Sequence, residues 1–119
     1  MNKSKSNIKE TIAKIAKLKQ VSAIFIFGSS INGRMRKDSD IDVAVITKKI
    51  SRNKELEVMG YGNEKIDISL FKNLPLVIQF RIIKEGHLVF CRDKKYLHDI
   101  KFKVIRNYLD FSTFINAFY

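Results

Sequence analysis

The chain has 119 residues, of which 45% are hydrophobic and 29% charged, with five Gly and one Pro; this is the make-up of one globular domain, 1–119, and excludes a disordered tail or collagen-like fibre. No stretch approaches the roughly 20 uncharged apolar residues of a membrane span, and the N-terminal segment lacks an apolar signal block, so a soluble, cytoplasmic protein without membrane contact is expected. The net charge of +11 suits a nucleotide or nucleic-acid partner, yet no RNA-recognition aromatic motif, zinc finger or Gly/Arg tract accompanies it, so direct nucleic-acid binding is not expected.

The excess charge is spread along the chain, and 17 Lys beside 17 Ile is also what a compositional bias would produce. Cys91 is the only cysteine, which excludes internal disulfides and paired-thiolate zinc sites; it reads as a small buried apolar side chain.

Residues 5–19 place Ile8, Ile12, Ile15 and Ala16 at helical spacing, with Ser4 or Ser6 available as a cap. Val21 to Phe27 and Ile41 to Ile46 are short apolar runs rich in β-formers and predict buried strands. The segment between them, SSINGRMRKDSD, predicts a helical turn followed by a loop, and residues 50–58 a helical link. After the turn residues Gly60, Tyr61, Gly62 and Asn63, Ile66, Ile68 and Leu70 alternate with Asp67 and Ser69, a strand with one polar face. Pro75 suits the start of a helix reaching Glu85, and Gly86 its end. His87 to Phe90 is a further strand, and from Lys94 a helix carries Ile100, Val104, Tyr108, Phe111, Ile115 and Phe118 as one stripe, widened by Leu97, Ile105 and Leu109.

The chemistry concentrates in Gly28-Ser29, ten residues, then Asp40-Ile41-Asp42. Strand alternation puts Asp40 and Asp42 on one face, near enough to share a divalent cation. Mg²⁺, which keeps waters and takes phosphate oxygens, fits such a pair. Gly28 lets backbone approach a phosphate, and Ser29 offers a hydroxyl and an N–H where anions are favoured. Asp67, on the polar face of another strand, adds a third carboxylate that can bind metal or accept the proton of an attacking hydroxyl if the two strands are neighbours.

GSSINGRMRKDSDID, from Gly28 to Asp42, resembles the signature of the minimal nucleotidyltransferases of the polymerase-β-like superfamily. Four fixed residues at ordinary usage recur by chance in a chain of this length on the order of once in a thousand. KIDISL is similar to the family's third-carboxylate strand, and LPLVIQFRIIKEGHLVF to its downstream helix, Glu-Gly turn and strand. The resemblance implies an α/β nucleotidyltransferase fold, a short mixed sheet flanked by helices, with ATP as substrate and Mg²⁺ at Asp40, Asp42 and Asp67. It further implies an antitoxin that transfers AMP from ATP to a tyrosine of a HEPN-domain ribonuclease toxin.

The chain departs from the family at Ser30 and Asn32, where many relatives carry arginine; Arg34, Arg36 and Lys37 lie just beyond. Two alternatives stand beside the adenylyltransferase. A nucleotidyltransferase for small molecules such as aminoglycosides usually adds an acceptor-binding domain, for which 119 residues leave little room. An inactive antitoxin acting by binding alone is suggested by the absent arginines and opposed by the intact carboxylates.

Other candidates have plainer readings: Arg81 as an exposed helix arginine, His87 and His98 as surface or structural residues, and Tyr61 as a turn aromatic packed locally. The final FSTFINAFY, aromatic and uncharged, predicts that Phe114, Phe118 or Tyr119 contacts the toxin or a second copy of the chain.

Overall fold

The computed structural model describes residues 3–28 and 41–118. In chain order the elements are α1 (Lys3–Ala16), β1 (Val21–Phe27), β2 (Ile41–Thr47), α2 (Arg52–Gly60), β3 (Ile66–Leu70), a 3₁₀ turn (Phe71–Asn73), α3 (Leu76–Glu85), β4 (His87–Cys91) and α4 (Lys94–Phe118). The predicted strands and helices are all present, with ends shifted by a few residues. The predicted turn and loop between β1 and β2 lie outside the described residues.

The sheet has the order β3-β2-β1-β4. β1 runs antiparallel to both neighbours, whereas β2 and β3 are parallel, with α2 between them in the chain as a parallel pair requires. Period-two alternation sends Val43, Val45, Ile66, Ile68 and Leu70 to one face, where they pack with Ile15 of α1 and Val58 of α2. Ala44 and Ile46 go to the other face with Ala23 and Phe25, beneath Ile82 of α3 and Leu97 and Val104 of α4. Phe25 is 2% exposed at the centre of that layer, a site where truncation to Ala costs about 3–5 kcal/mol. Cys91 packs against this second layer as an apolar side chain but is half-buried, less enclosed than expected.

α1 begins at Lys3, so the backbone of Ser4 and Ser6 lies within the helix. It stops at Ala16, three residues before the expected end. The guanidinium of Arg92, just past β4, donates to the carbonyls of Ala16, Leu18 (3.3 Å) and Val21 (3.0 Å), satisfying acceptors that a continuing helix would have used.

α2 is capped by Ser51, whose hydroxyl accepts from the Lys54 N–H at 3.3 Å. Its buried Glu55 pairs with Arg52 at 3.2 Å and with Lys72 of the 3₁₀ turn, joining α2 to the segment that follows β3. The hydrogen bond from Lys72 is the main cause that holds the Glu55 carboxyl below its ordinary value, with Arg52 adding to it against the opposing effect of burial.

Gly86 ends α3 with φ −72°, not in the left-handed conformation of a glycine helix stop. Its small size is what matters: a Cβ there would sit 2.5 Å from the Ile82 carbonyl oxygen, the acceptor of the Gly86 N–H.

Candidate active site at the Asp42–Asp67 edge

Asn63 sets the start of β3. Its side-chain oxygen accepts from the N–H groups of Lys65 (2.8 Å) and Ile66 (3.0 Å), and the Lys65 carbonyl then receives the Ile41 N–H at 2.7 Å. This turn fixes the parallel register in which Ile41 pairs with Ile66 and Asp42 with Asp67. Adjacent strands lie about 4.8 Å apart, so the two aspartates occupy neighbouring positions on one face of the sheet. The sequence marks Asn63 only as a turn residue; its role in aligning two carboxylates emerges once β2 and β3 are seen to be neighbours.

On the other side of Asp42 is the end of β1, where Phe27 is its partner across the ladder. The next residue, Gly28, has φ +92°, a conformation that side-chain-bearing residues rarely adopt. A Cβ at Gly28 would overlap Oδ2 of Asp42 and lie 3.1 Å from its Cγ. Glycine therefore does two things at this corner: it turns the chain sharply out of β1 and leaves room for a carboxylate against the backbone.

Asp42 is half-buried and Asp67 exposed. They share a sheet face with Ala44 and Ile46, which α3 and α4 cover, while Asp67 remains open to solvent at the opposite end of that face. Two oxygen-donor side chains at adjacent strand positions suit a hard cation such as Mg²⁺ better than a soft one. Among the described residues no group of three His, Cys, Asp or Glu side chains converges on a metal position.

The structure thus brings together Gly28, Asp42 and Asp67 of the predicted site. Ser29 and Asp40 lie outside the described residues, as do Ser30, Asn32, Arg34, Arg36 and Lys37. Arg81 is exposed on α3, and His87 and His98 are exposed. Tyr61 packs against the layer under α1 and α2, and its hydroxyl donates to Glu57 at 3.4 Å, which is the local packing role expected of it.

A family model described as polymerase beta, nucleotidyltransferase, matches residues 9–95. A protein of Methanocaldococcus jannaschii, named as a candidate protein adenylyltransferase, is 36% identical over 73 residues; these are 61% of this chain and 58% of the relative, so the match spans less than two thirds of that protein. Among solved structures, a chain of a toxin–antitoxin complex with AMP-PNP superposes with a TM-score of 0.73 at 18% identity, covering 92% of this chain and 94% of that one. A chain from the complex of a tri-AMPylated Shewanella oneidensis HEPN toxin with its antitoxin gives 0.66 at 16% identity, covering 96% and 93%. At these identities the structural likeness speaks for the fold, and it agrees with the four-stranded mixed sheet and its flanking helices. With a family model spanning most of its length, and Asp42 of the signature in adjacent register with Asp67, the chain belongs to the polymerase beta nucleotidyltransferase family.

Proposed function

We propose that the chain is a protein adenylyltransferase that transfers AMP from ATP to a tyrosine of a HEPN-domain toxin and so acts as its antitoxin. The observation that carries the reading is the alignment of Asp42 with Asp67 beside the tight Gly28 corner, in a chain of nucleotidyltransferase family. The name of the Methanocaldococcus relative and the complexes in which the similar structures occur support a protein acceptor and ATP.

Asp42 and Asp67, with Asp40 from the Asp-x-Asp motif, are the residues that would hold Mg²⁺, and their all-oxygen donor set fits that ion. When bound, the metal supplies positive charge against the phosphate oxygens and the pyrophosphate that leaves. Gly28 and Ser29 cradle the triphosphate with backbone N–H and hydroxyl groups. Asp67, the exposed carboxylate, accepts the proton of the tyrosine hydroxyl as its oxygen bonds to the α-phosphorus and the bond from that phosphorus to pyrophosphate breaks. The protein's main contribution is position: it holds an oxygen nucleophile in line with the α-phosphate.

The test is transfer from α-labelled ATP to a co-expressed HEPN toxin. Asp40→Asn combined with Asp42→Asn should abolish labelling while thermal unfolding stays cooperative; labelling at the wild-type rate by this double variant would reject metal-dependent catalysis by this pair, and wild-type protein that leaves the toxin unlabelled would reject the transfer itself. The binding-only alternative draws on Ser30 and Asn32 standing where many relatives have arginine. It predicts that the double variant still restrains the toxin fully, with wild-type protein leaving no AMP on it.

A further inference from the structure

α4 is 25 residues long and carries apolar side chains on two sides. On the inner side Leu97 and Val104 are buried, Ile100 is half-buried, and Tyr108 stacks on Phe80 of α3 with ring centroids 3.9 Å apart. On the outer side Phe102, Ile105 and Leu109, spaced by three and four residues, form a second stripe whose members are 64%, 38% and 56% exposed. Ile105 and Leu109 therefore do not widen the packing face, as the sequence pattern suggests; with Phe102 they make a separate one. A shallow depression of about 250 Å³ lies along this stripe, bordered by Arg106 and Asp110.

An exposed apolar stripe with a charged border is the form of a partner surface. The charge of the border selects the partner. Lys94, Lys95 and Arg106 are exposed along the flanks of the stripe, with Lys101 half-buried beside them, against Asp99 and Asp110, on a chain of net charge +11. A second copy is a poor match. A two-fold pairing that sets Phe102 against Leu109 of the copy passes its axis beside Arg106, bringing two guanidinium groups together and two strongly basic chains face to face. A helix with an apolar stripe and an acidic border complements both features.

We infer that the outer face of α4 docks the acceptor protein of the proposed reaction through an apolar helix bordered by Asp or Glu. The inference rests on that reading for the identity of the partner. The carboxylates supply the link to catalysis: Asp42 and Asp67 stand on the same sheet face that α3 and α4 cover, so a protein held on α4 lies on the reactive side of the sheet. Transfer to a protein side chain needs such a hold apart from the nucleotide site, because the acceptor must be presented in one orientation.

The experiment compares the full chain with Phe102→Ser/Leu109→Ser and with Arg106→Glu, using purified HEPN toxin and α-labelled ATP. Both hydrophobic positions are exposed, so the double variant should keep the wild-type melting temperature. The expected result is a rise of about tenfold or more in Kd and KM for the toxin, with kcat at saturating toxin and ATP affinity unchanged. Arg106→Glu should weaken the complex and flatten its salt dependence. Equal toxin binding and labelling by wild type and variants would overturn the docking face while leaving the reaction intact. A wild-type dimer in sedimentation that the double variant converts to monomer would assign the face to a second copy and also overturn it. If wild type binds the toxin without labelling it and the variants bind more weakly, the docking face stands and the reaction does not.

Discussion

Gly28 vacates the volume that the Asp42 carboxylate occupies. The glycine backbone at φ +92° and the carboxylate oxygen Oδ2 meet at the corner where β1 ends, and neither feature is tolerant of a methyl group. Gly28→Ala should therefore carry two penalties, backbone strain and overlap with Asp42, and lower stability by about 1–3 kcal/mol. Only the overlap depends on Asp42. In an Asp42→Ala background the cost of Gly28→Ala should shrink to the strain alone, so urea unfolding of the four proteins of this cycle should give non-additive changes. Additivity would place the Asp42 carboxylate away from the glycine.

Asp67 is exposed on its strand, so its conversion to Asn removes a charge without emptying a core position. We expect Asp67→Asn to leave the melting temperature nearly unchanged and to slow single-turnover AMP transfer by roughly 10²-fold or more, the scale for loss of a positioned base. ATP binding should fall less. A wild-type single-turnover rate would make Asp67 a surface residue.

The Glu55 pair with Lys72 gives the fold an acid-sensitive tie between α2 and the turn after β3. Its carboxyl has a lowered pKa in the folded state. The unfolded chain therefore takes up the proton first as pH falls. The stabilisation is complete above the ordinary glutamate pKa and is lost as pH drops through the lower folded-state value. Melting temperatures of wild type and Glu55→Gln should differ most near neutral pH and converge in acid. A constant difference across that range would show that the ion pair contributes nothing specific.

The strands were legible because each is a short apolar or alternating run bounded by polar residues, and Asp67 declared its face by the Ile66, Ile68, Leu70 alternation. The pairing of Asp42 with Asp67 was not legible from either strand alone, since it depends on β2 and β3 being parallel neighbours in a register set by Asn63. α4 shows a different limit. Periodicity finds apolar residues on a helix but does not say how much of its circumference the sheet can cover, so Leu97, Ile105 and Leu109 alike read as widening one stripe, although Leu97 is buried and the other two face outward. Gly86 reads as the end of α3, which it is, but the pattern does not show that the constraint is the nearby Ile82 carbonyl.

The end of α1 is set by a residue 76 positions away in sequence, beyond the reach of any local pattern. Arg92 spreads one guanidinium over the carbonyls of Ala16, Leu18 and Val21, and its backbone N–H donates to the Ser22 carbonyl at 2.7 Å. Lysine offers a point charge on a flexible stem and cannot reproduce a planar fork reaching several acceptors at once. Because Arg92 is exposed, water can replace part of what is lost, which keeps the expected cost modest. Arg92→Lys should lower stability by about 1 kcal/mol, the usual net value of a hydrogen bond, and Arg92→Ala by somewhat more. The local consequence is sharper than the global one: hydrogen exchange of the amides at the end of α1 and in the turn before β1 should accelerate in both variants, while that of β2 and β3 changes only with the global stability. Uniform acceleration through the whole sheet would mean that Arg92 supports the fold as a unit and is not the stop that ends this helix.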